Sequence, residues 1–285
     1  MTASELRPAY LLSWIVAALA VVASGAGLLR PGLYRDNPLV TAAWLGNDLV
    51  TLLVAVPILV AAMVLARRGA RRALLVWMGM LLYTLYNSQF YLFGSAFNAL
   101  FLAYVGLFVL SALALVFGLA AVDPHELVPR LDASPRYRGV ATWVATVAAF
   151  LGAFWIALSV RYWLTGEPPP MVEATAHPTN VTGALDLAFV VAVGLLAAAW
   201  LWNRRPWGYV LAVVWNVKGA AYMLALSAAS YTAYRAGPAP DATQVGLWAP
   251  VGVGCLVAAW MLLAPMTGGR DRWSDRLQEG SPGAT

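Results

Sequence analysis

Reactive and charged side chains are scarce in this chain. One cysteine, Cys255, stands inside an apolar run, which excludes an intramolecular disulfide and any CxxC thiol or metal motif. The two histidines, His125 and His177, fall in polar loops expected on opposite sides of a membrane, so they cannot jointly ligate a haem within it. The HExxH, P-loop, GxSxG and GxGxxG signatures are missing. Only 11% of the residues are charged, where a soluble domain carries roughly 25%. No polar stretch is long enough for a soluble ATPase or kinase domain. No cofactor and no metal site is expected.

What fills the 285 residues is apolar: 61% hydrophobic, with a mean hydropathy of +0.72. The net charge of +5 sits in short clusters between apolar runs, which is how membrane topology is written. The lipid bilayer, not nucleic acid, is the partner this implies. The fold class is an all-α polytopic membrane protein with eight transmembrane helices. Segment one covers 8–29; a cleaved signal peptide is its rival, but Glu5 and a single Arg7 make a poor n-region. Segment two runs Asn47–Ala66, with a kink expected at Pro57. The charge-free run 73–122 suits two spans, three and four, turning at Gly94-Ser95. Segments five to eight cover Gly139–Leu164, Asp186–Asn203, Trp207–Ala233 and part of 242–269.

An even number of spans puts both termini on one side. Thirteen of the 18 basic residues then share that side, against Arg30, Arg35 and Arg235 opposite, with Arg161 and Lys218 inside spans. By the positive-inside rule the termini are cytoplasmic, in what reads as a bacterial inner membrane.

One pattern occurs twice. Asn47-Asp48 opens an apolar run closed by Arg67-Arg68; Asp186 opens another closed by Arg204-Arg205. Tyr83 and Tyr222 follow the acids by 35 and 36 positions. This suggests two parallel four-helix repeats, at 1–122 and 139–268, related by an axis along the membrane normal. Residues 123–138 would be a cytoplasmic linker and 269–285 a disordered tail.

The chemistry rests on a few polar residues. Lys218 lies 11 residues past Trp207, about 16 Å along a helix, near mid-membrane. Placing a lysine there costs roughly 2.5–3.5 kcal/mol, so it needs a partner. Asp186 is the first candidate and Asp48 the second, although either acid could instead be a helix N-cap. Tyr83, Asn87 and Tyr91 recur at i, i+4, i+8 and so share a face; Tyr86, Gln89 and Phe93 form a neighbouring stripe. Asn216, Tyr222, Arg161 and the loop residue His177 complete the candidate binding set. Most of these residues fall at the outer ends of their segments, with Asn216 and Lys218 deeper. That distribution suits an outward-facing polar cavity. A transporter or binding protein for a small polar solute or ion is the first reading. An intramembrane enzyme acting on a lipid-type substrate, or a structural and assembly protein, are the alternatives.

Overall fold

The computed structural model describes residues 6–127, 135–239 and 241–266, and among them every regular element is helical. The long helices are α1 (Arg7–Leu29), α2 (Pro38–Arg67), α3 (Arg71–Gly94), α4 (Phe101–Ala120), α5 (Pro135–Thr165), α6 (Val181–Trp202), α7 (Pro206–Arg235) and α8 (Thr243–Leu263). Short turns at Pro124–Leu127 and Pro170–Thr175 lie in the connections before α5 and α6. Seven of the eight are long and apolar enough to cross a membrane; α3 is not. Its 24 residues include four polar amide or hydroxyl side chains and three tyrosines in the second half alone, yet it is the most thoroughly buried helix. A helix shielded from lipid by its neighbours has no need of an apolar surface.

The α3 helix packs on α2, α4 and α7, while α7 also contacts α2, α6 and α8. These two helices form the centre, with α1 and α4 paired on one flank and α5 and α6 on the other. Between lipid-soluble helices the hydrophobic effect gives little, so close fit and hydrogen bonds must hold the bundle. The buried face of α1 is built for close fit: Ala9, Ser13, Ala17, Ala20, Ser24 and Gly27 recur at three- or four-residue intervals. Ser13 also accepts the Trp77 indole N–H at 3.0 Å, tying α1 to α3. At the α2–α7 crossing a side chain on Gly46 would strike the Ala228 carbonyl, and Thr232 Oγ1 donates to the Ala42 carbonyl at 2.7 Å. Large apolar side chains point outward all round, among them Leu29, Phe150, Trp163 and Trp260, as a bilayer-embedded protein requires.

The ends of the helices sort by chemistry. Arg72 donates to the Ala264 and Met266 carbonyls, and Arg71 to the Glu126 carbonyl, so the arginine-rich connections meet on one face. On the opposite face Asp36 accepts the Ala96 backbone N–H, and Asn37 donates to the Ala174 carbonyl.

Several boundaries differ from expectation. The α2 helix begins at Pro38, nine residues before Asn47, because Asn37 caps it by accepting the Val40 N–H at 2.9 Å and proline suits the first turn. Asp48 is therefore not an N-cap but lies about 15 Å inside the helix. Asp186 is also interior, since Asn180 caps α6 by accepting the Gly183 N–H. The Pro57 expectation takes the form of a π-turn over Thr51–Ala55: Pro57 cannot bond Leu53, and the Val56 N–H reaches back to the Thr51 carbonyl. A second π-turn, Asp186–Val191, opens at the other acid with no proline nearby. There the Trp215 indole N–H donates to the Val190 carbonyl at 3.0 Å. The α5 helix starts at Pro135, before the expected Gly139. The expected disordered tail lies outside the described residues.

Candidate functional site

Helix α3 presents two polar faces, and each meets one buried acid. The stripe read from spacing, Tyr83, Asn87 and Tyr91, faces α2. Tyr91 donates its hydroxyl to Asp48 Oδ1 at 2.9 Å, and Tyr34, from the loop after α1, donates to Oδ2 at 2.5 Å. Asn47 Nδ2 donates to Asn87 Oδ1 at 2.8 Å and to the Tyr91 hydroxyl oxygen at 2.9 Å. The Asn87 amide in turn reaches Thr51 Oγ1 at 3.4 Å, and Thr51 shares a 3.0 Å hydrogen bond with the Tyr83 hydroxyl. A continuous polar chain thus runs along the α2–α3 seam from Tyr34 to Tyr83. Trp44 and Tyr104 pack on the Tyr91 ring at 4.5 and 5.1 Å between centroids and hold it in place.

Of the neighbouring stripe, Tyr86 faces α6 and α7, whereas Phe93 is exposed and packs against Phe108 of α4. Tyr86 donates its hydroxyl to Asp186 Oδ1, and Trp155 of α5 donates its indole N–H to Oδ2 at 2.9 Å. Lys218 lies with Nζ 3.4 Å from the Tyr86 ring centroid and 4.7 Å from that of Tyr222. The two rings meet edge to face at 88°, so the ammonium occupies an aromatic corner. A desolvated cation–π contact is worth about 2 kcal/mol or more, comparable to the insertion cost it must offset.

The direct Lys218–Asp186 ion pair is not formed. Among the described residues the ion pair within 4.0 Å is Arg161–Glu167, at 2.9 Å and exposed. Asp186 still acts on Lys218 electrostatically, and Tyr86 joins the two, with its face to the ammonium and its hydroxyl to the carboxylate. The hydroxyl's bond to a carboxylate pushes electron density into the ring, which strengthens the ring's hold on the cation.

Nor does an open outward cavity reach these groups. Asp48, Asp186 and Lys218 are 2%, 7% and 5% exposed. The remaining candidates stand apart. Asn216 is fully buried but turns its amide back to the Ala212 carbonyl, leaving Oδ1 without a partner. Arg161 belongs to the exposed ion pair. His177 lies beside Gly94, with Nε2 buried and unpartnered. No group of three or more His, Cys, Asp or Glu stands together among the described residues. Sequence reasoning passed over Tyr34, Thr51, Tyr104 and Trp155 as site residues. A tryptophan well inside an apolar run, like Trp155, was the available signal, because its indole N–H must find an acceptor there. Compared with family models, curated proteins and solved structures, the chain matches none.

Proposed function

We propose that the chain is a membrane transporter for a small polar solute or ion, seen with its ionisable centre closed. The observation that carries this reading is the Asp186–Tyr86–Lys218 cluster. Intramembrane acids and lysines are costly and commonly mark ion or proton pathways. Here the two charges lie close but separated by a ring, so a proton arriving at Asp186 would loosen Tyr86 and free Lys218 to move. That is a charge-driven switch at the junction of α3, α5, α6 and α7. Two π-turns placed at the acids add a local means of helix rearrangement, a frequent feature of functional sites.

In this reading α3 also spans the bilayer, giving eight spans with both termini on the arginine-rich, cytoplasmic side. Asp48 and Asp186 are counterparts in a duplicated four-helix unit, and the outward cavity belongs to another state of the cycle. The test is proton movement in proteoliposomes under an imposed potential, with pools of amino acids, carboxylic acids and amines in turn. A signal with one pool in the wild type, lost in Asp186→Asn and Lys218→Met, supports transport. No signal with any pool overturns it.

A further inference from the structure

The two buried acids differ in what stands beside them. Asp186 has Lys218 close by, whereas no lysine, arginine or histidine among the described residues comes within 4.0 Å of Asp48. Each element packed around Asp48 brings uncharged groups. Helix α1 gives Ser24 and the backbone at Gly27, the loop after it gives Tyr34, α3 gives Tyr83 and Tyr91, and α4 gives Tyr104. Asp36, which acts on Tyr104, adds a second negative charge and not a positive one. Nor is there room to hydrate an ion. The α1 backbone lies so close that a methyl on Gly27 would overlap the Asp48 carboxyl. The cavity beside it, between α1, α2, α3 and α4, holds about 20 Å³, space for roughly one water. A carboxylate buried with neither a cation nor a hydration shell is so costly that such groups take up a proton instead.

We propose that Asp48 is a proton-binding site, occupied in this closed arrangement. The two acids then hold opposite forms, Asp48 a neutral carboxylic acid and Asp186 a carboxylate near Lys218. The hydrogen bonds around Asp48 take the extra proton without moving a heavy atom. Hydroxyl hydrogens rotate, so the 2.5 Å contact between Asp48 Oδ2 and the Tyr34 hydroxyl serves equally with the hydrogen on the acid. Tyr34 then turns its own hydrogen toward the neighbouring Tyr104 hydroxyl. Oδ1 remains the acceptor of the Tyr91 hydroxyl at 2.9 Å. At Asp186 one partner is the Trp155 indole N–H, which can only donate, and Lys218 supplies the balancing charge. Ionising Asp48 requires water, and water enters only if Tyr34 or the Gly27 turn of α1 draws back. Release of the proton is therefore coupled to that movement. None of this depends on a solute being carried, so failure of the transport reading leaves it standing, and the reverse.

The test is infrared spectroscopy of the purified protein in detergent near neutral pH, in water and in deuterium oxide. A protonated carboxyl has a C=O stretch that carboxylates and amides lack, and the band moves on deuteration. The expected result is such a band in the wild type, lost in Asp48→Asn and retained in Asp186→Asn. Tyr34→Phe, which removes the partner of Oδ2, should shift the band without abolishing it. If Asp48→Asn does not fold, the Tyr34→Phe shift carries the same information, because that hydroxyl meets the carboxyl of Asp48 and not of Asp186. A wild type without the band would overturn the proposal and leave Asp48 ionised. A band unchanged in Asp48→Asn or Tyr34→Phe, or lost in Asp186→Asn, would place the proton elsewhere and overturn it equally.

Discussion

Around Asp48 the neighbours are neutral: two tyrosine hydroxyls, an amide chain and a small cavity. Around Asp186 they are a tyrosine hydroxyl, an indole N–H and, one ring away, an ammonium. Each acid lies inside a helix, at or three residues before a π-turn, and each takes a tyrosine hydroxyl from the same central helix. A simple duplication would give Asp186 a tyrosine from α7, yet its donor is Tyr86 of α3. Helix α3 serves both acids. The comparison teaches that a membrane protein can house a buried carboxylate either beside a lysine or among neutral hydroxyl donors alone.

The largest expected break in that contrast is Lys218→Met. Removing one member of a buried charged cluster typically costs about 3–5 kcal/mol, because the other charge is stranded. The unfolding midpoint in detergent should fall steeply, whereas Asp48→Asn, which strands no cation, should cost less. Equal losses would mean that Asp186 does not depend on Lys218.

A smaller effect is expected at Gly27, where an added methyl would overlap the Asp48 carboxylate and press on the Tyr34 hydroxyl. Overpacking of this kind costs about 1–3 kcal/mol. Gly27→Ala should lower the midpoint, and Gly25→Ala, with open space around it, should not. If both substitutions are tolerated alike, α1 does not close tightly over Asp48.

Smaller still is Tyr86→Phe, which keeps the ring under Lys218 and deletes the hydroxyl bond to Asp186. Loss of a hydrogen bond to a charged group costs about 1.5–3 kcal/mol, and the retained ring limits the damage to the lower end. Tyr86→Leu removes both and should be clearly worse. A Leu variant no worse than Phe would remove the ring from the account.

Much of this arrangement was legible along the chain. The period of four placed Tyr83, Asn87 and Tyr91 on one face, and the structure turns that face toward Asp48. The Gly94-Ser95 turn follows from local chemistry that needs no tertiary contact. The expected start at Asn47 misses Pro38 because the first buried polar pair is not the helix start, whereas Asn37-Pro38 is a capped one. The role of Tyr86 was hidden for a different reason. It lies 100 residues from Asp186, and nothing in the spacing says which helix a neighbouring stripe will meet. The same distance concealed the separation of Lys218 from Asp186, since adjacent antiparallel helices suggested a direct pair and the intervening ring comes from α3.

The central claim is that Lys218 is coupled to Asp186 through Tyr86 and not to Asp48. Two double-mutant cycles measured by unfolding test it directly: Lys218→Met with Asp186→Asn, and Lys218→Met with Asp48→Asn. In the first, the double variant should be more stable than Lys218→Met alone, with a coupling of about 1–3 kcal/mol; in the second, the effects should add within about 0.5 kcal/mol. Additivity in the first cycle, or rescue of Lys218→Met by Asp48→Asn, would contradict the account.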